Sequence, residues 1–424
     1  MRAAVRAGRV WANLAFVPGA FPRTGPPQPI PLPIGWGEGA RRAGEGRFRG
    51  ANARIFSADG VESSSHDVMK LGLGLYKHLL SRENFRFARQ AGATHLVIHL
   101  VDYFNGGAHN ARDNQPTGTD QGWGLAGDPD KLWTLEVLLD LQKSASSEGL
   151  KIEAIENFDP AHWHDVLLDG PKKTQQMENL KALVRRIGTA GIPVMGYNFS
   201  IAGVCGRVSG PFARGGAVSV GMDGPLETPM PNGMVWNMVY DPNAPPGVVP
   251  AITHEELWRR LEDFLQHILP VAEEAGVRLA LHPDDPPMPT MRGQPRLVYQ
   301  PQMYQRVINL SPSPANALEF CLGTLAEMTE GDLYDAVDRY SRQRRLAYVH
   351  FRNVAGKVPH YRETFVDDGE INMLRVLRIL KKNGFDGVLI PDHTPQMSCA
   401  APWHAGMAYA LGYMRAALQV LDSD

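Results

Sequence analysis

The sequence predicts an α/β fold, a (β/α)8 TIM barrel with extended loops on its carboxyl-terminal face. Three observations predict it. Short apolar runs alternate with amphipathic helical segments about eight times between Met69 and Leu421. Such alternation implies parallel strands joined by right-handed crossovers, and eight such units close into a barrel. Four successive runs end on, or just before, His282, Cys321, His350 and Asp392. The long connections follow strands two, four and five, on the face where those four residues emerge. A doubly wound open sheet is the alternative, but it usually brings a glycine-rich phosphate loop after the first strand. Here Gly72 and Gly74 fall inside the strand itself.

The elements follow in order. Residues 71–76 form the first apolar run, and residues 84–91 read as a helix closed by Gly92. Residues 94–101 are strand two, 130–148 a helix and 151–156 strand three. Residues 174–190 are amphipathic and stop at Gly191, and 193–198 are strand four. Residues 200–250 are rich in Gly and Pro and read as a long inserted loop. Thr253 then caps a helix to Ala275, with Glu256 completing a capping box. Strands five, six and seven end at His282, Cys321 and His350, residues 371–383 are a helix, strand eight ends at Pro391, and residues 403–421 are the last helix.

Composition bounds the function. Hydrophobic residues make up 43% of the chain and charged residues 21%, with a formal net charge of -2. Nothing in that balance favours nucleic acid or a membrane surface. No apolar run approaches the roughly 18 residues of a membrane-spanning helix. The three cysteines (Cys205, Cys321 and Cys399) are too few for a disulfide framework. They fit a reducing, cytoplasmic setting that leaves Cys321 free as a thiolate. Residues 1–68 are Arg-rich, acid-poor and without lasting apolar periodicity. They read as a disordered N-terminal extension, or as sequence upstream of a true start at Met69. Residues 69–424 are then the catalytic barrel.

Two imidazoles, a thiolate and a carboxylate at matching strand ends make a donor set for a first-row divalent cation. The thiolate favours Fe, Zn or Mn over Mg. In His282-Pro-Asp-Asp-Pro-Pro287, Asp284 and Asp285 either orient ligands or bind sugar hydroxyls. Arg352 lies two residues past His350, on the same face of the chain, and is placed to clamp a substrate carboxylate. Of Asp392 and His393, one can ligate while the other acts as general acid or base. Glu156 is a further acid/base candidate, Asn198 a hydroxyl-binding amide, and His164 a residue within reach of the pocket. Trp123, Tyr197, Trp236 and Met288 are candidate walls, and His99 reads as a core histidine.

These strings resemble the mannonate dehydratase family, within the xylose-isomerase-like barrels. The resemblance rests on His282-Pro-Asp-Asp-Pro-Pro287, Cys321-Leu-Gly323, His350-Phe-Arg-Asn-Val354, Pro391-Asp-His393, Tyr197-Asn-Phe199 and Ala410-Leu-Gly412. It implies that His282, Cys321, His350 and Asp392 hold Mn2+ or Fe2+ and that His393 is a catalytic acid/base. It implies removal of water from an aldonate to give a 2-keto-3-deoxy acid. The family's catalytic tyrosine has no counterpart at Ala401-Pro-Trp-His404, so His404 or Tyr409 is expected in its place. A metal-dependent sugar isomerase or epimerase is the alternative reading. The expected partners are a small sugar acid and further copies of the same chain, with neither nucleic acid nor membrane.

Overall fold

A computed structural model describes residues 69–106, 115–117 and 121–423. The expectation for residues 1–68 lies outside them. Eight parallel strands close a barrel: β1 (Lys70–Leu75), β2 (His95–Ile98), β3 (Lys151–Glu156), β4 (Val194–Tyr197), β5 (Arg278–Leu281), β6 (Asn316–Cys321), β7 (Leu346–His350) and β8 (Val388–Ile390). Pairing of Lys70 with Val388 and of Leu71 with Leu389 joins β1 to β8 and closes the ring.

Strand alternation decides what faces the axis. In β6, Leu318 and Phe320 pack outward against the helices, while Ala317 joins a small cluster inside the barrel. Glu319 and Cys321 share the inward parity of Ala317. In β7, Val349 packs outward and Tyr348 inward, so His350 also points to the axis. Small residues (Ala154, Ala280 and Ala317) fill the interior cluster. The ionisable side chains occupy the layer above them.

The helices sit close to the predicted segments. Helix His254–Ala275 begins where Thr253 accepts a hydrogen bond from the Glu256 backbone N–H, and it ends at Gly276 with φ 68. Helix Leu135–Ser147 starts later than the periodicity predicts, because Thr134 caps it. The larger difference lies in residues 200–250, read from sequence as a loop. Strands Arg207–Ala213 and Ala217–Asp223 join His360–Thr364 and Asn353–Lys357 in a four-stranded antiparallel sheet. The Gly and Pro content hides this sheet, because its strands alternate too weakly to outweigh the turn signals.

Helices Lys173–Thr189 and His254–Ala275 pack closely at Gly188, where a Cβ would overlap the Ala275 carbonyl oxygen. Helix propensity alone favours Ala at this position by about 1 kcal/mol. The contact reverses that preference, so Gly188→Ala is expected to destabilise the protein by about 1–3 kcal/mol in denaturant unfolding. A stabilised variant would contradict this packing.

Candidate metal centre

Donor atoms of His282, Cys321 and His350 all lie within 4.8 Å of one another. They come from the ends of β5, β6 and β7. The fourth candidate, Asp392, follows β8 and brings Oδ2 to 3.5 Å from His350 Nδ1. Its φ of 63 places it in the left-handed region, a strained conformation for a residue that is not glycine.

The two nitrogens of His350 have separate surroundings. Nε2 is hydrogen-bonded to Glu156 at 3.2 Å. Glu319 Oε1 lies 3.0 Å from the same nitrogen but out of line, and neither Glu319 oxygen makes a hydrogen bond. Nδ1 is buried without a hydrogen-bond partner. An imidazole held by a carboxylate on one nitrogen, with the other left open, has the arrangement of a metal-ligating histidine. His282 is similar: Nδ1 is 2.6 Å from the Pro283 carbonyl oxygen, and Nε2 faces Glu319 at 3.9 Å. Glu156, Glu319 and His350 form a second group close enough to share a cation. The His282, Cys321 and His350 donors fit a divalent ion.

The charges explain why. Burial opposes ionisation of the Cys321 thiol, but Arg352, His282 and His350 hold it well below the usual thiol range, as a thiolate. Burial likewise opposes protonation of His282, yet Glu319 and Cys321 raise it to about 9. Burial and the Glu156 carboxylate push Glu319 up to about 7. Without an ion, protons on the histidines supply the positive charge that the anionic donors require.

Arg352 is locked into the protein. One guanidinium nitrogen donates to Glu363. The other lies 2.9 Å from Asp285, 2.9 Å from Thr324 and 3.2 Å from Cys321 Sγ. Gly323 makes room for it, since a Cβ there would stand 2.6 Å from Arg352 Nε. The role of carboxylate clamp is therefore corrected: Arg352 holds Cys321 ionised and does not line the cavity.

A small cavity opens beside the donor cluster. Tyr76, Tyr103, Trp123 and Trp236 form its aromatic wall, and Glu156, Asn198, Asp285 and His393 reach it. His99 lines it too, while its Nδ1 contacts the Tyr103 hydroxyl at 3.0 Å. Trp236 and Asn237 have φ of 52 and 57, so strained backbone presents the indole. Asn198 receives the Trp236 indole N–H at 3.3 Å and donates to the Pro283 carbonyl at 3.2 Å. His393 Nδ1 is 2.9 Å from Glu363 and its Nε2 is 3.4 Å from Asp392.

Several expected residues stand elsewhere. Asp284 accepts from the Leu297 and Val298 N–H groups and pairs with Arg296 at 3.0 Å, so it shapes a loop. His164 stacks on Tyr240 at 4.0 Å and contacts the Pro160 carbonyl oxygen at 3.1 Å. His404 is 3.0 Å from Asn84 Oδ1 and packs on Phe87. Tyr409 contacts Arg214 at 3.4 Å. None of these four lines the cavity, so neither His404 nor Tyr409 takes the place of the family's tyrosine there. Tyr197 is core, against Phe264, and Met288 packs beside a separate cluster. Sequence reasoning missed Glu363 and Arg207, which the accessory sheet delivers. Neither lies in a motif, and the available signal was the strand pairing of residues 207–223 with 353–364.

Ionisable donors gathered at the carboxyl ends of a closed barrel define an enzyme active site. The D-mannonate dehydratase (UxuA) family pattern matches residues 88–206 and 248–418. A mannonate dehydratase of Streptococcus pneumoniae is 32% identical over 274 residues, covering 62% of this chain and 74% of that protein. Mannonate dehydratase 2 of Halalkalibacterium halodurans is 30% identical over 280 residues, covering 62% and 79%. The crystal structure of mannonate dehydratase from Streptococcus suis serotype 2 superposes with a TM-score of 0.63 at 25% identity, covering 83% of this chain and 93% of that one. The chain belongs to the mannonate dehydratase family.

His282 carries a proton below about pH 9 in the ion-free protein, and ion uptake must displace it. Affinity for a divalent ion is therefore expected to rise with pH up to about 9, by about tenfold per unit for each proton released. Calorimetry in buffers of different ionisation enthalpy counts those protons. Affinity that stays flat over this range would contradict the charge balance described.

Proposed function

We propose that this chain is a metal-dependent hydro-lyase that dehydrates a mannonate-like aldonate to a 2-keto-3-deoxy sugar acid. The observation that carries the reading is the convergence of His282, Cys321 and His350 donors within 4.8 Å, beside a polar cavity, in a chain of this family. His282, Cys321, His350 and Asp392 would hold the ion, and the mixed thiolate, imidazole and carboxylate set favours Mn2+ or Fe2+. When bound, the ion supplies Lewis-acid polarisation of substrate oxygens.

The chain's own residues handle the protons. Dehydration breaks the C2–H and C3–O bonds and releases water. His393 faces the cavity with Nδ1 fixed by Glu363 at 2.9 Å. An imidazole that takes the C2 proton becomes the acid that the departing 3-hydroxyl needs. The enol left behind becomes the 2-keto acid. Glu156 orients His350 through their 3.2 Å hydrogen bond, a positioning role. Asp285 and the aromatic wall shape the substrate's path. No helix among the described residues is long and apolar enough to cross a membrane. A cytoplasmic, homo-oligomeric enzyme completes the reading.

Incubation of the Mn2+-loaded protein with D-mannonate and an aldonate panel tests the proposal by formation of 2-keto-3-deoxy acid. His393→Asn is expected to lower kcat on the order of 100- to 10,000-fold while metal content stays unchanged. Ketose epimerisation with no aldonate consumed would overturn the lyase reading.

A further inference from the structure

A substrate carboxylate needs a cationic partner, and Arg352, held by Glu363, Asp285 and Thr324, does not line the cavity. Among the described residues Arg207 is the one arginine that lines the cavity. Its side chain is 5% exposed. A guanidinium has five N–H donors, and burial without partners is costly. Arg207 uses them sparingly: Nη2 donates to the Pro116 carbonyl at 3.5 Å. Nη1 lies 4.0 Å from Asp285 and 3.8 Å from Glu363, close enough for attraction and too far for hydrogen bonds. The guanidinium lies 6.0 Å from the centre of the Trp123 ring. Its backbone is fixed, since Arg207 opens a strand and pairs with Met222.

Resting on the hydro-lyase reading, we propose that Arg207 binds the carboxylate of the sugar acid. A planar carboxylate entering the cavity meets open N–H donors in the fork geometry that suits it. Asp285 and Glu363 hold the guanidinium by charge at 4.0 and 3.8 Å. The family match pauses after residue 206 and resumes at 248, so Arg207 opens the unmatched segment that also carries Trp236. That segment thus sets which acids the site accepts.

The test uses the full-length Mn2+-loaded enzyme, with Arg207→Gln and Arg207→Lys, and initial rates against D-mannonate concentration. KM is expected to rise on the order of 100-fold in the Gln variant and about tenfold in the Lys variant, with kcat within about threefold of wild type. Metal content should stay at the wild-type level, and added guanidinium should partly restore the KM of the Gln variant. If the Gln variant fails to fold, the Lys variant, which keeps the charge, carries the test. Wild-type KM in folded variants overturns the assignment of Arg207 alone. A wild-type enzyme that turns over no aldonate removes the lyase reading, and Arg207's role with it.

Discussion

Charge balance in a dry place governs this site. Cys321, Asp285, Glu363 and Asp392 crowd around the Arg352 guanidinium, which is 2% exposed. Taking anions out of water is expensive, and only close opposite charge offsets the cost. Arg352 supplies the fixed part of that charge. Protons on His282 and His350 supply a part that can be exchanged, and a divalent ion can replace it. The local devices serve this arrangement. Gly323 leaves space for the guanidinium, and the strained Asp392 backbone turns its carboxylate back toward His350.

The barrel was legible because its signal repeats. Each apolar run spans a few residues, most of the longer helices end at a Gly or begin at a cap, and the ligand candidates sit at equivalent strand ends. Strand β3 matches the expected residues 151–156, and Thr253 caps its helix as the capping-box spacing predicts. The donor cluster was legible for the same reason, since strand parity places Cys321 and His350 on the axis. The accessory sheet was not. Its strands carry glycines, and its two hairpins pair across more than 130 residues of sequence, as His360 with Asp223. Glu363 and Arg207 ride on that sheet, so no local pattern points to them. His164 and His404 failed for the opposite reason. His164 follows a strand end and His404 stands where a family tyrosine was expected, yet each is taken up by a neighbouring helix or loop.

Arg352 shows how sequence proximity misleads about role. Its place two residues past His350 is correct, and its side chain reaches the donor cluster. Its two terminal nitrogens, however, are held by protein anions and a hydroxyl, and the side chain stays out of the cavity. The cation with donors to offer comes instead from Arg207. Dividing the work this way makes physical sense. One guanidinium stabilises the thiolate, while a second, less saturated one remains able to meet a ligand.

A thiolate, two imidazoles and a carboxylate from successive strand ends are proposed to grip one cation. Titration of ion-free protein with Co2+, followed by near-ultraviolet absorption, tests it most directly. A thiolate-to-cobalt charge-transfer band should grow to an end point of one ion per chain and vanish in Cys321→Ser. One bound Co2+ without that band, or a band unchanged in the serine variant, would show that Cys321 is no ligand.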